Sequence, residues 1–120
     1  MDHGEDTDET VALLKTGRHF RKGEGPKLIV GRNEEENKEL LKHSGKDRII
    51  LEVKGIGSPI GLLFSKVADA NILSWAAAIV ARYSDADEEK SVNVTWRQDG
   101  KEEAFSVETP TDSGIEPYRI

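Results

Sequence analysis

The chain of 120 residues carries a net charge of −6, with 36 % apolar and 33 % charged residues. Its length fits one domain, and the absence of Cys excludes disulfides, thiolate-ligated metal sites and a thiol nucleophile. The N-terminus has no secretory pattern, and the longest apolar run (75–81) is far shorter than the roughly 20 residues that span a bilayer. We therefore expect a cytoplasmic protein without a membrane segment.

Positive charge is concentrated in one part of this acidic chain. Residues 15–54 contain 11 Lys or Arg against 7 Asp or Glu, whereas residues 1–14 contain five acids and no Lys or Arg. Within residues 15–32, six basic residues accompany a single acid, Glu24. Because salt screens charges over about 10 Å, a polyanion senses this local charge more than the net charge. RNA binding is therefore compatible with the acidic composition.

Two short strands joined by a turn are predicted in this basic part. RHFRK (18–22) and KLIVG (27–31) flank GEGP, in which Gly and Pro favour a turn. Strand side chains alternate between two faces, here with Arg18, Phe20 and Lys22 on one and His19 and Arg21 on the other. Such a hairpin could present cations to phosphates while Phe20 or His19 stacks on a base. Alternatively, its charges only prevent strands from associating edge to edge.

The first helix is predicted to begin at Asn33. Asn is a favourable N-cap, and Glu36 follows three residues later, as in a capping box. The acidic run 34–36 falls in the first turn, where the helix dipole favours negative charge, and Ser44-Gly45 provides a stop. This acidic run therefore has a sufficient structural explanation, and Asn33 could serve only as a cap.

The remaining predicted elements are strands at 48–53 and 60–64, a helix at about 68–83, and a hairpin of VNVTW (92–96) and EAFSV (103–107) around Asp99-Gly100. Apolar residues of the second helix recur at steps of three and four, which indicates that it covers the sheet. KGIGSP (54–59) could be a backbone anion nest or only a hairpin turn. The order β-β-α-β-β-α-β-β predicts an α+β domain, a largely antiparallel sheet with both main helices packed on one side.

Catalytic chemistry finds little support in the sequence. Phosphate-binding G-x-x-x-x-G-K-[ST] and G-x-G-x-x-G motifs are absent, and no Ser lies in a nucleophile-elbow pattern. His3, His19 and His43 are not at ligand spacing. The carboxylates cluster at helix starts and in loops, where solvation explains them. We therefore expect no catalytic residue, no metal and no cofactor.

Four segments, KLIVGRNEEENKELL, ILEVKGIGSP, AAAIVARYSDA and VNVTW, together resemble the RNA-binding domain called NFACT-R. A closely similar form is attached to PP-loop ATPases of tRNA thiouridine synthesis, the MnmA/TrmU-like and ThiI-like proteins. LLKTGRHFR followed by KLIVGRNEEEN is the most recognisable part of that form. The resemblance spans about residues 10–97 and implies a domain at 10–108. A disordered or linker segment (1–9) would precede it, and an irregular tail (109–120) would follow.

Residue by residue, the family motif falls on Gly31, Arg32, Asn33, Asn37, Lys54, Arg82, Tyr83 and Ser84. The chain departs from the family pattern on both sides of Lys54. Leu51-Glu52-Val53 stands where the family has Trp-x-His, and Gly57-Ser58-Pro59-Ile60 stands where it has Pro-Gly-Ser-His. The PP-loop motif is also absent, so the resemblance implies the binding module without its catalytic partner.

The resulting hypothesis is a non-catalytic RNA-binding module, with tRNA as its ligand, in a tRNA-thiolation system. A PP-loop ATPase catalytic domain, in cis or in trans, would be its partner. The candidate RNA-binding residues are Arg18, His19, Arg21, Lys22, Lys27, Arg32, Asn33, Asn37, Lys54 and Arg82. The alternative is a protein–protein docking domain, whose acidic loop (85–89) and hairpin edge would bind a sulfur carrier or a catalytic subunit.

Overall fold

The computed structural model describes residues 16–22, 25–43, 47–53, 59–65, 69–84, 91–98, 100–110 and 115–120. Its elements are β1 (Arg18–Arg21), β2 (Lys27–Val30), α1 (Glu34–Lys42), β3 (Ile49–Val53), β4 (Gly61–Leu63), α2 (Ala70–Arg82), β5 (Ser91–Gln98), β6 (Lys101–Glu108) and a 3-10 helix (Glu116–Tyr118). The predicted segment 1–9, residues 54–58 of the glycine-rich turn (Lys54 among them) and the acidic loop 85–89 lie outside the described residues.

The six strands form one antiparallel sheet in the order β1-β2-β4-β3-β5-β6. This confirms the predicted α+β class and its order of elements. Gly100, with φ +87°, supplies the left-handed residue of the turn before β6, as the Asp-Gly pair predicted. Neither helix of the described part is long and apolar enough to cross a membrane.

The two helices lie on opposite faces of the sheet, so the prediction that both pack on one side is wrong. Ile50 of β3 packs in a cluster with Leu40 of α1, whereas Ile49 and Leu51 pack in a second cluster with α2. Adjacent residues of a strand point to opposite faces, so each face receives one helix. Each helix is needed because strand segments such as 28–30 have consecutive apolar residues, whose side chains must be buried on both faces of the sheet. We refer to these surfaces as the α1 face and the α2 face.

Helix α2 packs closely against the middle of the sheet. Asp69 caps it by accepting hydrogen bonds from the backbone N–H groups of Asn71 (2.8 Å) and Ile72 (3.2 Å). Its apolar stripe is buried, and a Cβ at Gly61 of β4 would collide with Val80. Gly61 therefore permits the close approach of the helix to the sheet. The prediction that this helix covers the sheet is confirmed.

The C-terminal segment 115–120 packs back onto the domain, where the sequence suggested an irregular tail. Ile115 is buried in the α2 cluster, and the ring of Tyr118 meets Trp75 edge-on at 5.7 Å. The backbone N–H of Ile120 donates to a carbonyl of β1 at 3.0 Å. The segment therefore covers part of the outer edge of β1 and contributes to the core.

Candidate nucleic-acid interface

The cations of the first hairpin are divided between the two faces of the sheet, as strand alternation predicted. Arg18 pairs with Val30, which belongs to the cluster under α2. Arg21 pairs with Lys27, which is two residues from Ile29 of the cluster under α1. Arg21 and Lys27 therefore lie on the α1 face, and Arg18 lies on the α2 face. Cations that are close in sequence thus do not form one continuous patch.

A row of three cations and one aromatic ring crosses four neighbouring strands on the α1 face. Arg21 and Lys27 are directly paired, and the N–H of Phe64, just after β4, donates to the carbonyl of Lys27 at 2.9 Å. The guanidinium of Arg48, just before β3, lies 4.5 Å from the centre of the Phe64 ring. Because adjacent strands are about 4.8 Å apart, the row spans about 14 Å. We call Arg21, Lys27, Phe64 and Arg48 the basic row.

Arg21 and Lys27 place like charges directly opposite each other, an arrangement that destabilises an antiparallel pair. Partial burial lowers the pKa of Lys27, and the nearby positive charge of Arg21 lowers it further. An anion bound between the two side chains would relieve this repulsion. The pair is therefore suited to a phosphate group.

Arg48 is held in a defined position at the other end of the basic row. Its Nη1 donates to the carbonyl of His43 at 3.1 Å while its guanidinium lies over Phe64. Neither Arg48 nor Phe64 was predicted as a binding residue, because the sequence pattern assigned each only to a strand end. Arg97 shares the α1 face, but its guanidinium lies 3.5 Å from the carboxylate of Glu52, which compensates its charge.

The α2 face carries a separate cation and aromatic pair. The guanidinium of Arg18 lies 4.4 Å from the centre of the Tyr83 ring, which follows Arg82 at the end of α2. Phe20 is completely buried, 5.9 Å from Tyr83, so the suggestion that Phe20 stacks on a base is wrong. A residue with no exposed surface cannot reach a ligand, and the ring instead fills the core.

His19 and Lys22 are the remaining described candidate residues of the first strand region. His19 lies on the α1 face, opposite Ile29, and its Nε2 is 3.1 Å from the carbonyl of Thr16. Lys22 directly follows β1 and is exposed. Their parts in RNA binding stay predictions, as does that of Lys54.

Arg32 and Asn33 form the start of α1 together with Glu36. The Nε and Nη2 atoms of Arg32 donate to the two carboxylate oxygens of Glu36 at 3.0 and 2.7 Å. The backbone N–H of Arg32 donates to the same carboxylate, and the backbone N–H of Glu36 donates to Asn33 Oδ1, both at 2.9 Å. The predicted N-cap is confirmed. Much of the positive charge of Arg32 is engaged within the protein.

Gly31 and Asn37 attach α1 to the sheet. Asn37 Oδ1 accepts a hydrogen bond from the backbone N–H of Ile60 at 3.0 Å, and the N–H of Gly31 donates to the Ile60 carbonyl, also at 3.0 Å. A Cβ on Gly31 would collide with Asn37 Oδ1. The spacing of the G-R-N-x-x-x-N motif therefore serves the packing of the helix on β2 and β4.

Comparison with known protein families matches residues 17–119 to the NFACT protein RNA binding domain. The chain belongs to this family. The match extends through the C-terminal segment that covers β1, so that segment is part of the family domain. Membership of this family identifies the chain as an RNA-binding module. The basic row on the α1 face is consistent with that role.

A solved structure supports the fold of this NFACT RNA-binding domain. The chain is similar to the C-terminal part of the fibronectin/fibrinogen-binding protein from Streptococcus suis, with a TM-score of 0.77 and 18 % sequence identity. The likeness covers 88 % of this chain and 50 % of that one, so this chain spans about half of that structure. At this identity the likeness shows the fold alone. A search of curated proteins finds no match.

A metal site or a pocket in the described part of this NFACT domain would be an alternative to the basic row. That part contains no group of three or more His, Cys, Asp or Glu residues that could hold a metal ion. A shallow pocket beside α1 is lined by Thr16, Glu35, Glu36 and Glu39. Its carboxylates repel phosphate groups, so the basic row is the better nucleic-acid site.

The contact with Arg32 predicts a pH-dependent contribution of Glu36 to stability. The side-chain hydrogen bond from Arg32 lowers the pKa of Glu36 from 4.5 to about 2 in the folded protein. The contribution is therefore complete above about pH 4.5 and is lost as the pH falls towards about 2. We expect Glu36→Gln to lower the free energy of unfolding at pH 7 and to have little effect near pH 2, measured by urea denaturation.

Glu34→Gln is the matched control for this prediction. Glu34 lies in the same helical turn, is 86 % exposed, and has only a 3.7 Å contact with Lys38. Exposed pairs of this kind contribute little to stability. An equal effect of Glu36→Gln at both pH values would contradict the prediction.

Proposed function

We propose that the basic row is the RNA-binding surface of this domain. The observation that carries the proposal is the directly opposed pair of Arg21 and Lys27, whose repulsion a phosphate would relieve. Arg48 adds a third cation to the same face, and Phe64 adds a ring. Cations with an interleaved aromatic ring suit RNA, because phosphates bind the cations while bases stack.

We propose tRNA as the ligand and a cytoplasmic tRNA-thiolation system as the setting. The support is the likeness of LLKTGRHFR and KLIVGRNEEEN to the domain attached to PP-loop tRNA thiouridine synthases. In this role the module holds and orients the tRNA. A PP-loop ATPase domain, in cis or in trans, adenylates and thiolates the uridine, so the module itself is not catalytic.

The cations on the α2 face are proposed as secondary contacts. Arg18 lies on the α2 face, and Arg82 is the last residue of the helix that packs on that face, so both are across the sheet from the basic row. β1 is an edge strand of the sheet. RNA that reaches them must pass around this edge, next to the C-terminal segment. Lys22 is exposed at the end of β1 and would contact RNA that passes around this edge.

The experiment that tests the proposal is a titration of isotope-labelled protein with unmodified tRNA at two salt concentrations. Backbone amide shifts are expected at Arg21, Lys27, Arg48 and Phe64. The log of the association constant should fall with log salt at a slope of about −2 to −3, as three or four phosphate contacts imply. An excess of unrelated unstructured RNA as competitor distinguishes tRNA from RNA in general.

The pattern of shifts decides between this surface and its rivals. Amide shifts confined to Arg18, Arg82 and Tyr83 would show that the RNA binds to the α2 face and not to the basic row. No shifts at low salt would contradict RNA binding by the isolated domain and would favour the docking alternative. Co-elution with a purified sulfur carrier, which the RNA-binding proposal does not require, then tests that alternative.

A further inference from the structure

We propose that Arg48 and Phe64 form a stacking site for an unpaired nucleobase, so that the domain binds a single-stranded or looped RNA segment in preference to a duplex. This inference rests on the proposed RNA-binding function and specifies its ligand. It concerns two residues that lie outside the family motif as it falls on this chain.

The Arg48 guanidinium is held in a fixed position against the Phe64 ring. The Arg48 guanidinium lies 4.5 Å from the centre of the Phe64 ring, and its Nη1 donates to the His43 carbonyl at 3.1 Å. The guanidinium is therefore held at two places before any ligand arrives. A planar guanidinium and an aromatic ring are both surfaces on which RNA bases stack. A group that is already ordered loses less conformational entropy when it binds.

The stacking pair of Arg48 and Phe64 lies next to the two paired cations of the basic row. The backbone N–H of Phe64 donates a hydrogen bond to the carbonyl of Lys27, and Lys27 is directly opposite Arg21 on the next strand. The stacking pair is thus about one strand spacing, 4.8 Å, from the first of two adjacent cations. A nucleotide whose base stacks at one end would direct its phosphates towards the other end.

A regular RNA duplex cannot place a base on this pair. Bases in an A-form helix are paired and stacked on each other, and its deep, narrow major groove does not admit side chains. Phe64 is partly buried against the cluster under α1, so only a base turned out of a stack can reach this pair. A duplex could still contact Arg21 and Lys27 through its phosphates.

The test compares three RNA probes by fluorescence anisotropy with the full chain: a single strand of about ten nucleotides, the same strand annealed to its complement, and the same strand with one abasic position at a time. The single strand is expected to bind at least about fivefold more tightly than the duplex, the lower end of the range for one stacked base. One abasic position should lower the affinity about 5- to 100-fold, the range for losing one stacked base.

Two conservative variants locate the stacking site. Arg48→Lys keeps the charge and removes the planar guanidinium, and Phe64→Leu keeps an apolar side chain and removes the ring. Each should weaken single-strand binding about 5- to 100-fold and leave duplex binding within about twofold. Lys101→Gln is the control, because Lys101 lies on the opposite edge strand, β6, and its loss should change neither affinity.

The outcomes separate this inference from the proposed function. Equal affinity for single strand and duplex, or no abasic position that weakens binding, would overturn the stacking site while RNA binding stands. Absence of binding to all three probes and to unmodified tRNA would overturn the proposed function itself. The abasic series uses the unmodified protein, so the inference stays testable even if a variant does not fold.

Discussion

Reversing both charges of the opposed pair, with Arg21→Glu and Lys27→Glu together, is expected to lower the affinity for RNA at least about 100-fold. The change removes two charge-assisted contacts of about 1.5–3 kcal/mol each, and every 1.4 kcal/mol corresponds to a factor of ten. It also places two negative charges against the phosphates. Anisotropy titrations of wild type and variant at one fixed salt concentration measure the effect.

The double reversal should leave the fold intact, because it exchanges one like-charged strand pair for another. The matched control is Lys38→Glu with Lys101→Glu, which changes the net charge by the same amount. Both control side chains are well exposed, at 72 % and 67 %, and neither belongs to the basic row. A folded Arg21→Glu, Lys27→Glu protein with wild-type affinity would contradict the proposed surface.

The second large effect is expected at the junction of α1 with the sheet. Asn37→Ala leaves the backbone N–H of Ile60 without its acceptor, a loss of about 1–3 kcal/mol. Gly31→Ala introduces a methyl group that collides with Asn37 Oδ1, and overpacking of this kind typically costs about 1–3 kcal/mol. Urea denaturation measures the free energy of unfolding of each variant.

The combination of the two substitutions tests the contact itself. With the Asn37 side chain removed, the methyl group at residue 31 loses its clash with Oδ1 and keeps only the tight 3.2 Å approach to the Asn37 backbone N. The double variant should therefore lose less stability than the two single losses added together. Asn71→Ala is the control, because Asn71 is exposed in the first turn of α2 and such surface changes usually stay within about 0.5 kcal/mol. Strictly additive losses would show that the two residues do not contact each other in the native protein.

The family motif illustrates how a recognisable pattern can serve the fold. Arg32 was a candidate phosphate contact, but its guanidinium binds both carboxylate oxygens of Glu36. Asn33 caps the helix, and Asn37 Oδ1 accepts a hydrogen bond from the backbone N–H of Ile60, the residue before β4. RNA contacts by these three residues remain predictions, and the contacts that the structure gives them position α1.

The sequence by itself determined the features that depend on neighbours along the chain. The N-cap at Asn33, the turn at Gly100, the buried stripe of α2 and the alternation of Arg18 and Arg21 on β1 were all predicted. Each follows from a local rule of helix ends, turn dihedrals or side-chain periodicity. The class of the fold followed from the order of these elements.

Only the tertiary structure decided which distant residues meet. β4 lies between β2 and β3, and this strand order brings Phe64 and Arg48 beside Lys27 and Arg21. It also buries both faces of the central strands, which places the two helices on opposite sides. Strand order is set by long-range pairing and by the burial of apolar surface from the whole chain, so no local segment carries that information.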